Sequence, residues 1–209
     1  MKGGRFIVFE GIEGCGKTTQ INLFADYLNR RSIPNRLTRE PGGTAVGESV
    51  RRILLASATT RLTPTAELLL FYASRSQNID ENIRPALAAG EIVIADRFYL
   101  ASMAYQGFGR GLPLEFVTQL TENVVGDCRP DVTILLDIAP EVGLARARAR
   151  NNASAEDEGR FEAETTRFYT RVRSGYLELA ARDPLKIKVI AADRSIEDVH
   201  HDVIAAAGL

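Results

Sequence analysis

Between Phe9 and Gln20 the chain reads FEGIEGCGKTTQ. Gly11, four further residues and then Gly16-Lys17-Thr18 match the spacing G-x-x-x-x-G-K-[ST], which cradles nucleotide phosphates. Each residue type has a physical task there. Glycine accepts the positive φ angles that turn successive backbone N–H groups towards one anion. A helix opening at the end of the loop adds the partial positive charge of its N-terminus. Lys17 reaches the β- and γ-phosphates, and the Thr18 hydroxyl offers an oxygen to Mg²⁺. The stretch formed by Gly11, Glu13, Gly14, Cys15, Gly16, Lys17, Thr18 and Thr19 is therefore expected to hold a nucleoside triphosphate with Mg²⁺. A glycine-rich turn with a surface lysine is the plainer alternative, but a strand pattern precedes this loop and a helix pattern follows it. The guanine-selecting Asn-Lys-x-Asp pattern is absent. A second substrate has to be sought in the rest of the chain.

Several other groups have the types a phosphate acceptor would need. In TREPGGT (Thr38–Thr44), Arg39 leaves the carboxyl end of a strand, where a guanidinium suits a second phosphate; Arg39–Glu40 is alternatively a solvated turn. Asp96 and Arg97 end the run EIVIADR. A carboxylate at a strand end beside a phosphate loop binds hydrated Mg²⁺ or positions Lys17, and the arginine touches phosphates; a surface ion pair is the alternative. Phe71 and Arg75 lie four apart in LLLFYASRSQ, on the helical face of Leu68. A ring beside a guanidinium stacks on a base and reads its edge; a core phenylalanine with a rim arginine has the same spacing. YQGFGRG (Tyr105–Gly111) lacks the strand and helix of a dinucleotide fingerprint. It reads as a pliable loop after a helix that carries Ser102, Tyr105 and Gln106. Arg146, Arg148 and Arg150 crowd the start of RARARNNASAEDEGR. They are either cations at a helix C-terminus or part of a lid that closes over the triphosphate.

The elements that must position these groups are legible as alternation. RFIVFE (Arg5–Glu10), NRLTRE (Asn35–Glu40), EIVIADR (Glu91–Arg97), VTILLDI (Val132–Ile138) and KIKVIAA (Lys186–Ala192) read as strands, four of them apolar enough for a parallel sheet covered on both faces. Ile21, Phe24, Ala25 and Leu28 predict a helix from about Lys17 to Arg30. Thr63-Pro64 predicts a helix start, PEVGLARARAR a further helix, and Ser195 to Asp198 a capping box. The expected fold is α/β, a doubly wound sheet with its ligands at the strands' carboxyl ends.

Composition excludes some classes. The 209 residues are 45% hydrophobic and 25% charged, with a formal net charge of -1. A duplex nucleic-acid partner would want a basic footprint, which is lacking. Two cysteines, Cys15 and Cys128, show no metal spacing. No apolar run reaches the roughly 18 residues of a membrane helix, and MKGGRFIVFEG is too soon broken by glycine for a signal peptide. A cytoplasmic protein is expected.

Taken in order, FEGIEGCGKTTQ, TREPGGT, FYASRSQ, DRF with AYQGFGRG, and PDVTILLDIAPEVGLARARAR closely resemble thymidylate kinases of the bacterial lid-arginine type, from residue 6 to about 190. The resemblance implies one P-loop nucleoside monophosphate kinase-like domain over residues 1–209, with a five-stranded parallel sheet and a mobile lid at about 146–162. It implies ATP-dependent phosphorylation of dTMP to dTDP with Mg²⁺, no nucleic-acid or membrane partner, and a homodimer. On it, Glu13 lies near the acceptor's sugar and phosphate, Arg39 holds the acceptor phosphate, Phe71 stacks on thymine and Arg75 reads the base edge. Asp96 and Arg97 serve metal and phosphates, and Thr18 shares the metal. Tyr105 crowds the place of a ribose 2′-hydroxyl, Ser102 and Gln106 lie on the base side, and Arg51 resembles a phosphate-side arginine. The loop has no basic residue in IEGC, so the catalytic arginine falls to the lid, with Arg148, Arg150 and Arg160 as candidates. The lid ends in GRFE, where the family commonly has an acidic residue before the arginine. Another nucleoside monophosphate or deoxynucleoside kinase, or a non-catalytic nucleotide switch, are the rival readings.

Overall fold

A computed structural model of the chain describes residues 3–56, 62–151, 160–161 and 164–209; the side chains of residues 150 and 151 lie outside that description. Five strands form one parallel sheet: β1 Arg5–Glu10, β2 Asn35–Arg39, β3 Ile92–Asp96, β4 Val132–Asp137 and β5 Ile187–Ala191, in the order β2-β3-β1-β4-β5. The chain starts in the middle of the sheet and reverses direction beside β1, which opens a crevice at the strands' carboxyl ends. Register puts several chemical groups on that rim: Asp96 pairs with Phe9 of β1 and with Arg39 of β2.

The apolar runs of the central strands are explained by burial on both sides. Ile7, Phe9 and Ile94 face one core with Phe24 and Leu28 of helix α1 (Lys17–Arg30) and Val199 and Val203 of a C-terminal helix (Ile196–Ala207). Phe6, Val8, Val93 and Ala95 face a second core containing Ile83, Ala86 and Val125. The edge strands β2 and β5 are partly exposed, which fits their weaker apolar patterns.

Helices α2 (Ala45–Leu55) and α3 (Pro64–Asn78) pack on one another beyond β2. Thr63 caps α3, its hydroxyl oxygen accepting from the Ala66 N–H at 3.2 Å. α3 continues through a π-helical turn, Ile79–Ile83, into α4 (Arg84–Ala88). After β3 come α5 (Tyr99–Ser102), a π-helical segment Met103–Gly109 and α6 (Leu114–Val125). Then follow α7 (Pro140–Asn151), α8 (Thr166–Arg182) and α9 (Ile196–Ala207). Ser195 caps α9 by accepting from the Asp198 N–H at 3.1 Å, while Asp198 takes the Ser195 hydroxyl proton at 2.7 Å instead of reaching the backbone.

One expectation is corrected. The stretch Tyr105–Gly111 is not a pliable loop: it belongs mostly to the buried π-helical segment, clamped between α6 and α8. Its glycines serve close approach. A Cβ on Gly109 would lie 2.7 Å from the Phe168 ring, and one on Gly107 2.6 Å from Leu114.

Candidate active site

A cavity of about 1180 Å³ opens at the carboxyl ends of β1, β2 and β3. The phosphate-binding motif forms one end. Gly11, Gly14 and Gly16 have φ of 141°, 71° and 92°, a region closed to most other residues. Gly16 stands at the N-cap of α1, so the loop delivers its N–H groups to that helix start. Gly14 also needs to be glycine for space, because a Cβ would sit 1.9 Å from the Gly143 carbonyl oxygen of α7. The Lys17 ammonium is folded over the loop, donating to the carbonyls of Gly11 at 3.2 Å and Ile12 at 3.4 Å. Glu13, Gly14, Cys15, Gly16, Lys17, Thr18 and Thr19 all line the cavity, and Gly11 is buried beneath them.

The middle of the site is a charged chain. Arg97 is one of two non-glycine residues in the left-handed region, φ 70°, among the described residues. Such a backbone is costly unless its surroundings hold it. Here the Arg97 N–H donates to Phe9 O at 2.9 Å, and its guanidinium donates to Gly11 O at 2.9 Å, Tyr176 Oη at 3.3 Å and Glu13 Oε1 at 2.8 Å. Tyr105 donates to Glu13 Oε2 at 2.5 Å, and its ring lies under the Arg97 guanidinium. Burial pushes the Glu13 carboxyl up, but Arg97, Lys17 and the Tyr105 hydroxyl outweigh it and hold Glu13 below the usual carboxylate range. Beneath this chain Glu10 is fully buried and accepts from Tyr176 Oη at 2.7 Å and from the N–H groups of Phe98 and Ala101 at 2.9 and 3.2 Å. Desolvation raises its carboxyl despite these donors and the nearby Arg97. Asp96 faces the same space, and its Oδ1 is buried with no hydrogen-bond partner among the described residues.

At the far end Phe71, Ser102, Tyr105 and Gln106 line the wall together. Phe161 joins them, its ring centroid 6.2 Å from that of Phe71 and 5.7 Å from that of Tyr105. Arg39 is on the wall and paired with Glu48 at 3.0 Å, and Arg51 is on the wall and donates to Pro41 O at 2.9 Å.

Three expected site residues stand elsewhere. Arg75 is not on the cavity wall. It is 1% exposed and donates to Glu40 at 2.7 Å, Ser102 Oγ at 3.1 Å and Phe98 O at 3.0 Å, so it braces Ser102 from behind. Arg160 is not beside the phosphate loop either: its guanidinium donates to Leu54 O and, at 2.7 Å, to Glu67 Oε2, which places it at the acceptor end. Arg148 is exposed and off the wall. The side chain of Arg150 lies outside the described residues, as does most of the segment 146–162 expected to form a lid. Arg146 does reach the cavity, near Arg194 and Ile196, and donates to Ala192 O at 3.3 Å.

Sequence reasoning missed four residues here: Glu10, Glu40, Glu67 and Phe161. Two left a trace. Glu10 is an acid ending a run of buried apolar residues, and Glu67, Phe71 and Arg75 form one i, i+4, i+8 stripe on α3. Glu40 and Phe161 stood inside TREPGGT and GRFE, but the partners that give them their roles are distant in the chain, so the motifs did not show those roles.

The arrangement offers a triphosphate loop at one end, an aromatic pocket at the other and a row of cations between them, which suits phosphoryl transfer between two nucleotides. Comparison with known proteins agrees. The thymidylate kinase family model matches residues 9–203. The chain is 46% identical over 198 residues to a thymidylate kinase of Symbiobacterium thermophilum, covering 95% of this chain and 90% of that one. It is 49% identical over 199 residues to one of Syntrophotalea carbinolica, covering 95% and 92%. A crystal structure of thymidylate kinase from Ehrlichia chaffeensis is similar throughout, with a TM-score of 0.79 and 35% identity, over 99% of this chain and 100% of that one. With its motif, its sheet order and its relatives in accord along nearly the whole length, the chain belongs to the thymidylate kinase family.

Proposed function

We propose that the chain transfers the γ-phosphoryl group of ATP to dTMP, giving dTDP. The observation that carries this reading is the single cavity that joins the phosphate loop, through Arg97 and Glu13, to the Phe71–Ser102–Gln106 wall. It is one P-loop kinase domain over residues 1–209 with its lid at about 146–162.

The chemistry needs little beyond placement and charge. A phosphate monoester has a second pKa near 6, so the attacking oxygen is already ionised at neutral pH and no general base is required. The obstacle is repulsion between two polyanions. Lys17 and Arg97 flank the meeting point, and Arg39 and Arg51 stand on the acceptor side, so that positive charge is in place before the transition state develops. Lys17 must leave the Gly11 and Ile12 carbonyls to reach a phosphate, while the Arg97 guanidinium already lies on the cavity wall, held by Gly11 O and Glu13. Arg146, Arg194 and Ile196 line the same cavity and on this reading would meet the nucleoside of ATP.

Mg²⁺ fits these residues. The unpartnered Asp96 Oδ1 and the Thr18 hydroxyl both face the loop end of the cavity. Among the described residues no group of three or more His, Cys, Asp or Glu gathers as a cage, and a phosphate-bound Mg²⁺ needs only one or two protein oxygens. When bound it would neutralise charge on the donor's phosphates.

No described helix is long and apolar enough to cross a membrane. We place the enzyme in the cytoplasm as a homodimer, with no nucleic-acid partner. The test of function is ADP release with ATP, Mg²⁺ and equal concentrations of dTMP, dUMP, dCMP, UMP or AMP. Turnover should be greatest with dTMP and weak with UMP. Preference for another monophosphate would overturn the acceptor, and ADP release indifferent to all five would overturn the transferase.

A further inference from the structure

Glu67 is a buried carboxylate that the transfer reaction does not use. It is 1% exposed and accepts four hydrogen bonds: from Gln106 Nε2 at 2.8 Å, Arg110 Nε at 3.1 Å, Arg110 Nη2 at 3.2 Å and Arg160 Nη2 at 2.7 Å. Burial opposes its ionisation, but the Arg110 and Arg160 guanidiniums more than compensate and hold the carboxyl below its ordinary range. An ionised carboxylate has no proton to give, so it only accepts.

That fact fixes something the residue type of Gln106 leaves open. An amide side chain can present either its oxygen or its NH₂ to a ligand, at nearly equal steric cost. Here the NH₂ must face Glu67. Oε1 is then the end left over, and among the described residues nothing donates to it. Gln106 lines the aromatic end of the cavity beside Ser102. The Ser102 oxygen already accepts from Arg75, which leaves its hydroxyl proton free to donate. The wall therefore offers an acceptor and a donor side by side.

We propose that Glu67 is a positioning residue that sets the base preference of the acceptor site, by turning the oxygen of the Gln106 amide towards the ligand. This rests on the acceptor being a pyrimidine monophosphate. A thymine or uracil ring carries a donor at N3 beside a carbonyl oxygen at C4, which complements Gln106 Oε1 and the Ser102 hydroxyl. A cytosine ring carries the inverse, a bare N3 and an amino group, and would place acceptor against acceptor. Buried polar groups left unpaired in this way are what lets a site reject an isosteric base.

The experiment is Glu67→Gln in the full chain, with kcat/KM measured separately for dTMP and dCMP. A glutamine at 67 keeps an oxygen for the arginines and turns an NH₂ to Gln106, which releases that amide to flip. The dTMP-to-dCMP preference should fall about tenfold or more, with the dTMP KM rising while the ATP KM stays within about twofold. If both acceptors lose activity in proportion and the ratio is unchanged, Glu67 is merely a structural tie and the proposal is overturned. Should Glu67→Gln not fold, Gln106→Leu decides: the same fall in preference supports the proposal and an unchanged ratio overturns it. A wild-type enzyme that turns over purine monophosphates and no pyrimidine would be recognised by its own acceptor profile, and would overturn the acceptor reading and this inference together.

Discussion

The residues of the candidate site are bound to one another by charge, with Arg97 paired to Glu13 at 2.8 Å beside Lys17. Lys17, Thr18, Asp96 and Arg97 were readable because a phosphate loop and a strand-end Asp-Arg pair keep their chemistry within a few neighbouring residues. Glu10 shows the opposite case. Its neighbours in the chain are apolar or glycine, and what makes it matter is the Tyr176 hydroxyl, 166 residues away, and the N–H groups of the turn after Arg97. Its titration is testable. Desolvation raises the Glu10 carboxyl above 4.5 in the fold, even against the pull of Arg97 and Tyr176. A raised carboxyl stabilises the fold most below the unfolded value, and this contribution is lost as pH rises through the folded one. Glu10→Gln cannot titrate and has no such loss. The Tm of the variant relative to wild type should therefore climb as the pH rises above about 4.5. The depressed Glu13 carboxyl works in the opposite direction but is common to both proteins, so it cancels from the difference. Parallel Tm curves for the two proteins over that rise would refute the assignment.

The elements were more legible than their junctions. Each observed strand lies within the run that announced it; four were visible as short apolar runs, since a strand buried on both faces admits few polar residues, whereas the edge strand β2, with only Leu37 apolar, left a weaker signal. Helices α3 and α9 announced themselves by caps, which are local chemistry. The π-helical segments Ile79–Ile83 and Met103–Gly109 were not legible. In Met103–Gly109 the glycines that suggested a loop instead let neighbouring helices approach, Gly107 beside Leu114 of α6 and Gly109 beside Phe168 of α8. The contact between α7 and the phosphate loop was equally silent in the sequence, and it makes a sharp prediction. Replacing a mid-helix glycine by alanine normally stabilises by about 1 kcal/mol. At Gly143 the added Cβ would lie 2.5 Å from the Glu13 carbonyl and 3.2 Å from Ile12 Cδ1. Backbone cannot swing aside as a side chain can, so overpacking should win and Gly143→Ala should cost about 1–3 kcal/mol. Because the displaced atoms belong to the phosphate loop, the ATP KM should rise more than the dTMP KM. A stabilised variant with both constants unchanged would show that the loop does not rest on α7.

At the scale of the whole molecule, strand order and cavity follow from one topological fact: the chain enters at β1, fills one side of the sheet through β3 and the other through β4 and β5. That much could be anticipated from the alternation of apolar runs and helices. The face on which the expected homodimer would pair could not, because the residues that would carry it look like ordinary surface residues until the fold shows their exposure. Val46 and Ile53, two turns apart on one face of α2, and Leu69 on α3 are each about half exposed, at 48%, 47% and 48%. The two helices that carry them pack on one another. A homodimer built on α2 and α3 would cover these side chains, none of which lines the cavity. The expected outcome is sedimentation at twice the monomer mass at tens of micromolar, with a Tm that rises with protein concentration. Val46→Glu with Leu69→Glu would bury two unpaired charges in such an interface, a cost that few interfaces survive. The double variant should sediment as a monomer yet retain the acceptor preference of the wild type, because neither side chain lines the cavity. A wild-type chain that remains monomeric at every concentration would remove the dimer. A double variant that still pairs would move the interface to another face.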